Sequence, residues 1–476
     1  MTWSYIFPRV LVHGVHRCDW TAATRSQSFI FKRTIEIRVR WITLDDMDRT
    51  MKPIVILFLF SLLAGIVFFT FLRDSNHEKA SILPHECYVW QRVWNEDLRD
   101  SIQRAQPDLK GFTVLAAEID VRPDSRQQQI MSVDYPFLST LSVPVGLAIR
   151  INPYSGSFDK DAPASQSIHR IIKKVLEKAR DAGFKPSEIQ IDYDCAESKL
   201  AGYRQWIQAL KKSFHSHPIT ITALPSWMNR RQFKKLARDC DGYVLQVHSL
   251  EKPNSIQEKV QLCNPTRAIK WVQQAERFGV PFRVALPTYG YLVAYDQQGQ
   301  FIGLTAEGVE PPWKHDSQIK TVLSDPYEIA NLIKAIRAKH PKNLSGFIWF
   351  RLPVDSDVLN WQWHTLQRLV QNQPLTERIN VLLDWPQPGL VEVYLVNAGD
   401  VDRTDSFAVQ LSFQNSCLAA DGLRGYAVVR HSAEVLLFAS ESQDGLERLR
   451  AREKIKIGWC RFDKETEVKA DVQFWK

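Results

Sequence analysis

The stretch Glu188-Ile189-Gln190-Ile191-Asp192-Tyr193-Asp194 alternates polar and apolar side chains with a period of two. That period belongs to a β-strand with two unlike faces. Ile189, Ile191 and Tyr193 make the apolar face, while Gln190, Asp192 and Asp194 make the polar one, with both aspartates toward the C-terminal end. The segment before it, SIHRIIKKVLEKARDAGF, has a different period. Ile168, Ile171, Ile172, Val175, Leu176 and Ala179 recur at helical spacing, and Gly183 stands near the end, which predicts an amphipathic helix.

The same alternation extends outward in both directions. Strand candidates fall at 87–94, 112–120, 143–152, 188–194, 219–225, 242–248, 281–291 and 346–353, each followed by a helical pattern. The helix after the seventh is introduced by Asp325-Pro326, a residue pair suited to the N-cap and first helical positions. Regular β-then-α order implies a parallel sheet, and eight repeats fill a closed (β/α)8 barrel of the TIM type. A doubly wound open sheet is the alternative, but no Gly-rich phosphate loop follows any strand. The expected organisation is an α/β barrel over 87–373 with an insertion at 288–324, then a β-sandwich-like domain over 374–476 built from short strands. That second domain is expected to brace the barrel.

The N-terminal part is read separately. Pro53–Leu72 is PIVILFLFSLLAGIVFFTFL, without a charge; as a helix it spans roughly 30 Å, the hydrocarbon thickness of a bilayer. Lys32, Arg33, Arg38, Arg40, Arg49 and Lys52 precede it, and Arg73 and Lys79 follow. The excess of basic residues before the span keeps that end in the cytoplasm. The expectation is one N-terminal transmembrane helix at 53–72, a cytoplasmic leader at 1–52 and a linker at 73–86. The barrel then faces the periplasm or cell exterior from a single pass through the inner (cytoplasmic) membrane of a bacterium. A cleaved signal peptide is the rival reading, and Met47 or Met51 is an alternative start.

A net charge of +8 invites a nucleic-acid reading, but the basic residues are dispersed along helices and no nucleic-acid motif is present. Seven cysteines are too few for a disulfide scaffold, although Cys417 and Cys460 both lie in the C-terminal region and could pair in an oxidising compartment. No C-x-x-C spacing points to structural zinc. No cofactor is expected.

In a barrel, functional groups gather at the C-terminal strand ends. Strand parity places Arg92, Glu118, Arg150, Asn152, Gln190, Asp192, Asp194, Gln246, His248, Tyr289, Trp349 and Arg351 inward. Buried Arg–Asp pairs sometimes only hold a lumen together. Polar inward residues on most of the strand ends point instead to a working mouth, since a structural barrel fills these layers with Val, Ile and Leu. Two carboxylates one pleat apart also push their pKa values apart, which suits one of them to act as a general acid.

The order of these motifs resembles glycoside hydrolase family 18, the chitinase-like barrels. That family carries D-x-x-D-x-D-x-E on its fourth strand, P-x-Y-G at the end of its seventh, an inserted β-rich subdomain and a tryptophan on its eighth. The counterparts here are Gln190-x-Asp192-x-Asp194, Pro287-Thr288-Tyr289-Gly290, the hairpin-like YLVAYDQQGQFIGL and Trp349. Residues 87–353 also resemble a bacterial family known as domain of unknown function 3142, through YVWQRVW and IDYDC. There are departures from the chitinase-like pattern. Asp194 stands in place of the acid glutamate, Gln190 in place of an aspartate, and His248 where a Tyr-Asp pair is usual. Glu197 is out of register and is expected to open a helix.

The resemblance implies a polysaccharide-hydrolysing site with Asp192, Asp194 and Tyr289 catalytic and Glu118 as the candidate base of an inverting route; attack by a substrate acetamido group is the other route. Arg92, Arg150, Asn152, Gln246, His248 and Arg351 are the expected substrate contacts, with Trp227, Trp349 and Trp313 as stacking faces. The expected partner is an envelope or exported polysaccharide. A catalytically inactive barrel that binds glycan or protein remains the alternative, and a metal-dependent hydrolase using Asp192, Asp194 and His248 is a third.

Overall fold

The computed structural model describes residues 83–120, 128–154, 156–249, 252–307, 313, 316–430, 432–440 and 448–474, together with two short strands nearer the N-terminus. Those strands, Phe7–Val10 and Val39–Ile42, pair antiparallel. The expected span at 53–72 lies outside the described residues. Among the described residues no helix is long and apolar enough to cross a membrane.

Leu83–Lys476 forms one compact unit. Its first part is a closed barrel of eight parallel strands: His85–Val89, Phe112–Ile119, Val145–Ile151, Ile189–Tyr193, Ile219–Ala223, Gly242–Gln246, Phe282–Pro287 and Leu344–Phe350. Each pairs with the next in chain order, and the first pairs with both the second and the eighth, which closes the cylinder. One helix follows every strand, from Glu96–Ala105 to Trp363–Val370. The sequence accounts for several helix starts. Asn95, Asp134, Asn264 and Asp325 each accept a backbone N–H of the first turn through the side chain, satisfying donors that the helix cannot. The helix Pro163–Asp181 buries Ile168, Ile171, Ile172, Val175 and Ala179 against the sheet.

Ile189, Ile191 and Tyr193 belong to the core between strands and helices. The polar face of that strand therefore looks inward. The lumen is layered from bottom to top. At the bottom Arg283 pairs with Glu86 and, at 2.6 Å, with Glu188. Gly146 leaves the room this needs, because a Cβ there would lie 2.7 Å from Glu188 Cγ. Above it Tyr88, Val244, Ala285 and Ile348 pack together, with Trp90 and Phe350 against them. The aspartates come next, at the mouth.

After the seventh strand an antiparallel sheet, Gly290–Tyr295, Phe301–Thr305 and Gln318–Leu323, stands beside the mouth. Its first two strands form the hairpin expected from YLVAYDQQGQFIGL; the turn closes on Asp296 Oδ1, which accepts from Gln298 N and Gln300 N. The third strand carries no comparable turn signal. From Ile379 onward two four-stranded antiparallel sheets share a buried core. Leu390–Asn397 shows the period plainly, burying Val391, Val393, Leu395 and Asn397. The strand Cys417–Gly422 was not expected: Ala419 and Ala420 fill its centre, so it offers little apolar alternation. The six described cysteines, Cys417 and Cys460 included, are buried thiols outside any disulfide.

Candidate active site at the barrel mouth

The fourth strand delivers Asp192 and Asp194 to one side of the mouth, and the third delivers Arg150 directly opposite Asp192 in the register. Arg150 spans both carboxylates. Its Nη1 donates to Asp192 Oδ2 at 2.5 Å and its Nη2 to Asp194 Oδ2 at 3.0 Å. The two aspartates nevertheless live in different surroundings. The Asp192 side chain is 3% exposed and the Asp194 side chain 36%. Asp192 Oδ1 also accepts from Thr222 Oγ1 at 2.8 Å and from Gln246 Nε2 at 3.4 Å. Asp192 is thus held by a guanidinium, a hydroxyl and an amide. Among the described residues the Asp194 carboxylate bonds with Arg150 alone. Its burial, and then the charge of Asp192, raise its carboxyl above the ordinary range against the pull of that guanidinium. Burial works against the charge on Arg150, but the two aspartates outweigh it and keep it protonated.

The opposite wall is aromatic. Tyr289 follows the seventh strand, and its hydroxyl lies 3.2 Å from His248 Nδ1. The His248 ring stacks on Phe350, with centroids 5.8 Å apart and planes 25° apart. Burial lowers the His248 imidazole to about 4, so it is neutral near pH 7. Burial raises the Tyr289 phenol well above its usual value. At the rim Arg92 grips Glu118 with two bonds, Nε to Oε2 at 3.1 Å and Nη2 to Oε1 at 2.7 Å. Arg351 holds the buried Asp357 at 2.5 Å. These groups surround a cavity of about 760 Å³, the size of a ligand site. Among the described residues no cluster of three or more His, Cys, Asp or Glu could hold a metal ion. The Arg150 guanidinium itself occupies the position between the aspartates.

Residues 143–355 match the model of a family described as domain of unknown function (DUF3142). The match runs from the third barrel strand to the loop after the eighth, so it includes Arg150, both aspartates, His248 and Tyr289. Residues 382–463 match a second one, DUF8456, also described as a domain of unknown function. No curated protein matches the chain. Similar solved structures include the spore cortex-lytic enzyme of Bacillus cereus, at 13% identity, covering 62% of this chain and 75% of that one, with a TM-score of 0.43. A chitinase from Chromobacterium violaceum is 13% identical over 61% of this chain and 98% of its own, with a TM-score of 0.41. A chitinase from Flavobacterium johnsoniae is 11% identical over 61% and 94%, with a TM-score of 0.42.

Nine of the expected residues meet in the cavity: Arg92, Glu118, Arg150, Asp192, Asp194, Gln246, His248, Tyr289 and Arg351. Three do not. Trp349 is fully buried on the helix side of its strand, where its Nε1 donates to His85 Nδ1 at 3.0 Å. Its neighbours Ile348 and Phe350 face the lumen instead. The run Phe347-Ile348-Trp349-Phe350 is apolar throughout, so alternation does not reveal which side is inward; the register with Ala285 decides it. Trp227 is also fully buried, its Nε1 donating to Cys195 O at 3.1 Å. Neither tryptophan offers a face to a ligand. Asn152 lies past the end of its strand and does not line the cavity; its backbone N–H donates to Ile119 O at 2.9 Å. Trp313 stands over Gly303 of the inserted sheet. Glu197 opens a short 3-10 turn and pairs with Arg230.

The mouth also contains residues not foreseen. Trp90 and Tyr88 share the parity of Arg92 and were legible from it. Thr222 shares the parity of Thr220 on the fifth strand. Tyr291 and Leu304 come from the inserted sheet and Glu307 from just beyond its second strand, and nothing in their local sequence announces a place at the barrel mouth.

Proposed function

We propose that the barrel mouth is a glycoside hydrolase site acting on an envelope or exported polysaccharide. The observation that supports it is the inequality of the two aspartates that share Arg150. Asp192 is buried and bonded through both oxygens, whereas Asp194 is partly exposed to the cavity with its carboxyl raised above the ordinary range. A carboxyl raised above its ordinary range beside a second, enclosed carboxyl suits acid catalysis on a glycosidic oxygen. In this reading Asp194 protonates the leaving oxygen; burial, and then the charge of Asp192, raise its carboxyl toward that task. Tyr289 orients the sugar. Glu118 is the base of an inverting route, its carboxylate held by Arg92 at the rim.

The test is reducing-end release from a panel of polysaccharides, compared with binding. Asp194→Asn is expected to lower turnover by about a hundred- to ten-thousandfold, with affinity changed only a few-fold. One observation favours a binding barrel without turnover: Arg150 bonds both aspartates, as a purely structural clamp does. Binding without release of reducing ends by the parent protein decides for that reading.

The proposal includes an extracytoplasmic location, supported by the uncharged run 53–72 and the basic residues before it. A phosphatase fused after residue 476 is expected to be active outside the cytoplasm, and the full chain to stay with membranes after a salt wash. A soluble product beginning near residue 80 contradicts the anchor.

A further inference from the structure

Ile379–Gln387 is the edge strand of its sheet, and most of it alternates as a strand of a sandwich does. Ile379, Val381 and Leu383 pack against the core between the two sheets. The same parity would send Trp385 inward next, where an indole has much apolar surface to bury. It does not go there. The ladder with Leu390–Asn397 slips by one residue between Asp384 and Gln387, a bulge that takes in Trp385 and Pro386. Proline, which has no N–H for the ladder, suits a bulge on an edge strand, and a bulge re-aims the side chains beside it. Trp385 is left 40% exposed.

The indole borders a cavity of about 580 Å³, with Gln387 and Pro388 from its own hairpin and Glu465, Thr466 and Glu467 from the loop before the last strand. Both walls are held. The hairpin turns on Gly389, at φ +74°, where a Cβ would meet Phe462 O at 2.9 Å, and Phe462 N donates to Gly389 O at 2.7 Å. Across the cavity, Asn415 Nδ2 donates to Glu465 O at 2.9 Å. The Glu465 and Glu467 side chains are exposed. This is the end of the sandwich away from the barrel. Asn397 bonds Leu449 O, between the arginines that reach the barrel, whereas the hairpin closes on Leu390. The strand Leu390–Asn397 sets the two ends about 25 Å apart.

An exposed aromatic face bordered by carboxylates and an amide is the complement of a pyranose ring, which has an apolar C–H face and a rim of hydroxyls. The same two carboxylates oppose the headgroups of an anionic membrane surface. We infer that the distal end of the sandwich is a second carbohydrate-binding site, in which Trp385 stacks on a sugar unit of a glycan strand while Gln387, Glu465 and Glu467 bond its hydroxyls. The site holds the strand and does no chemistry on it. It goes beyond the reading of the mouth and does not depend on turnover there.

The experiment uses the full chain carrying Asp194→Asn, so that turnover does not consume the probe. It is titrated calorimetrically with the hexaoses of glucose and of N-acetylglucosamine, and sedimented with insoluble β-glucan and chitin. Adding Trp385→Ala is expected to remove one bound oligomer per chain and to weaken sedimentation by about tenfold, the equivalent of one lost stacking contact. Trp385→Tyr, which keeps an aromatic face, is expected to retain most of the binding. Reducing-end release from a soluble hexaose is expected to be equal in the parent and in Trp385→Ala alone, since the mouth is untouched. Binding unchanged by Trp385→Ala overturns the inference and leaves the mouth reading standing. Equal loss in the Ala and Tyr variants overturns it too, since the side chain then does not act as a stacking face. Binding lost with Trp385→Ala, in a parent that releases no reducing ends, supports the inference and removes only turnover at the mouth. Binding of none of the four probes overturns the inference.

Discussion

His85 shows what a single side chain on the outside of the barrel contributes. It is buried, with Trp349 Nε1 at 3.0 Å from Nδ1 and Arg337 Nη2 at 2.8 Å from Nε2. A neutral imidazole has one lone pair for these two donors, and a protonated one has none. Burial, and then the charge of Arg337, accordingly lower its pKa from 6.5 to about 3. The unfolded chain takes up a proton between those values and the native one refuses it. The stabilisation is therefore complete above pH 6.5 and lost progressively as the pH falls toward 3. Denaturant titrations near neutral pH and in that acid range are expected to show the loss. His85→Asn, which cannot titrate, is expected to lessen it, at the cost of the packing on Trp349. Equal acid sensitivity in the two proteins would show that other groups carry it.

At the scale of the element, the helix Pro326–Lys339 follows the inserted sheet and restarts the barrel pattern. Its start is specified locally: Asp325 Oδ1 accepts from Tyr327 N at 2.8 Å and Glu328 N at 3.1 Å, and Pro326 occupies the first turn. Asp325→Ala is expected to cost about 1 kcal/mol, read as a lower urea midpoint with an unchanged slope, while Asp325→Ser recovers most of it. No change in midpoint would mean that packing of Ile329, Leu332, Ile333 and Ile336 alone places the helix. Strands differ in how much they reveal. Ile189–Tyr193 declares its two faces because each alternate residue is polar. Leu344–Phe350 does not, because nearly every residue is apolar, and a strand buried on both faces has no solvent side to mark. That is why the inward position of Asp192 was legible and the outward turn of Trp349 was not.

Across the whole molecule, the C-terminal sheets reach back to the loop between the eighth strand and its helix. Arg448 Nη2 donates to Asn360 O at 2.6 Å, and Arg448 also pairs with Asp402; Arg450 Nη2 donates to Asp357 O at 2.6 Å. Asp357 is in turn the partner of Arg351 at the mouth. Bracing thus runs from the sandwich to the candidate site. Arg448→Met removes the guanidinium and leaves Asp402, largely buried, without that partner, a change expected to cost roughly 3 kcal/mol. Calorimetry is expected to resolve separate unfolding of barrel and sandwich in the variant, where the parent unfolds in one transition. A single transition at the parent's temperature would show that the two parts are held together elsewhere.

The sequence by itself determined what local periodicity encodes. Eight strand–helix repeats, the Asp325 cap, the hairpin around Asp296 and the inward parity of Gln190, Asp192 and Asp194 all depend on neighbours within a few residues. Only the tertiary structure decided which polar residues share a partner. Arg150 lies 42 residues from Asp192, and Tyr289 lies 41 from His248; closure of the barrel brings them together. It also decided that Trp227 and Trp349 serve the core while Phe350 and Trp90 line the mouth. An aromatic ring gains as much from burial on one side of a strand as on the other, so its direction is set by the register of the neighbouring strands and not by its own sequence.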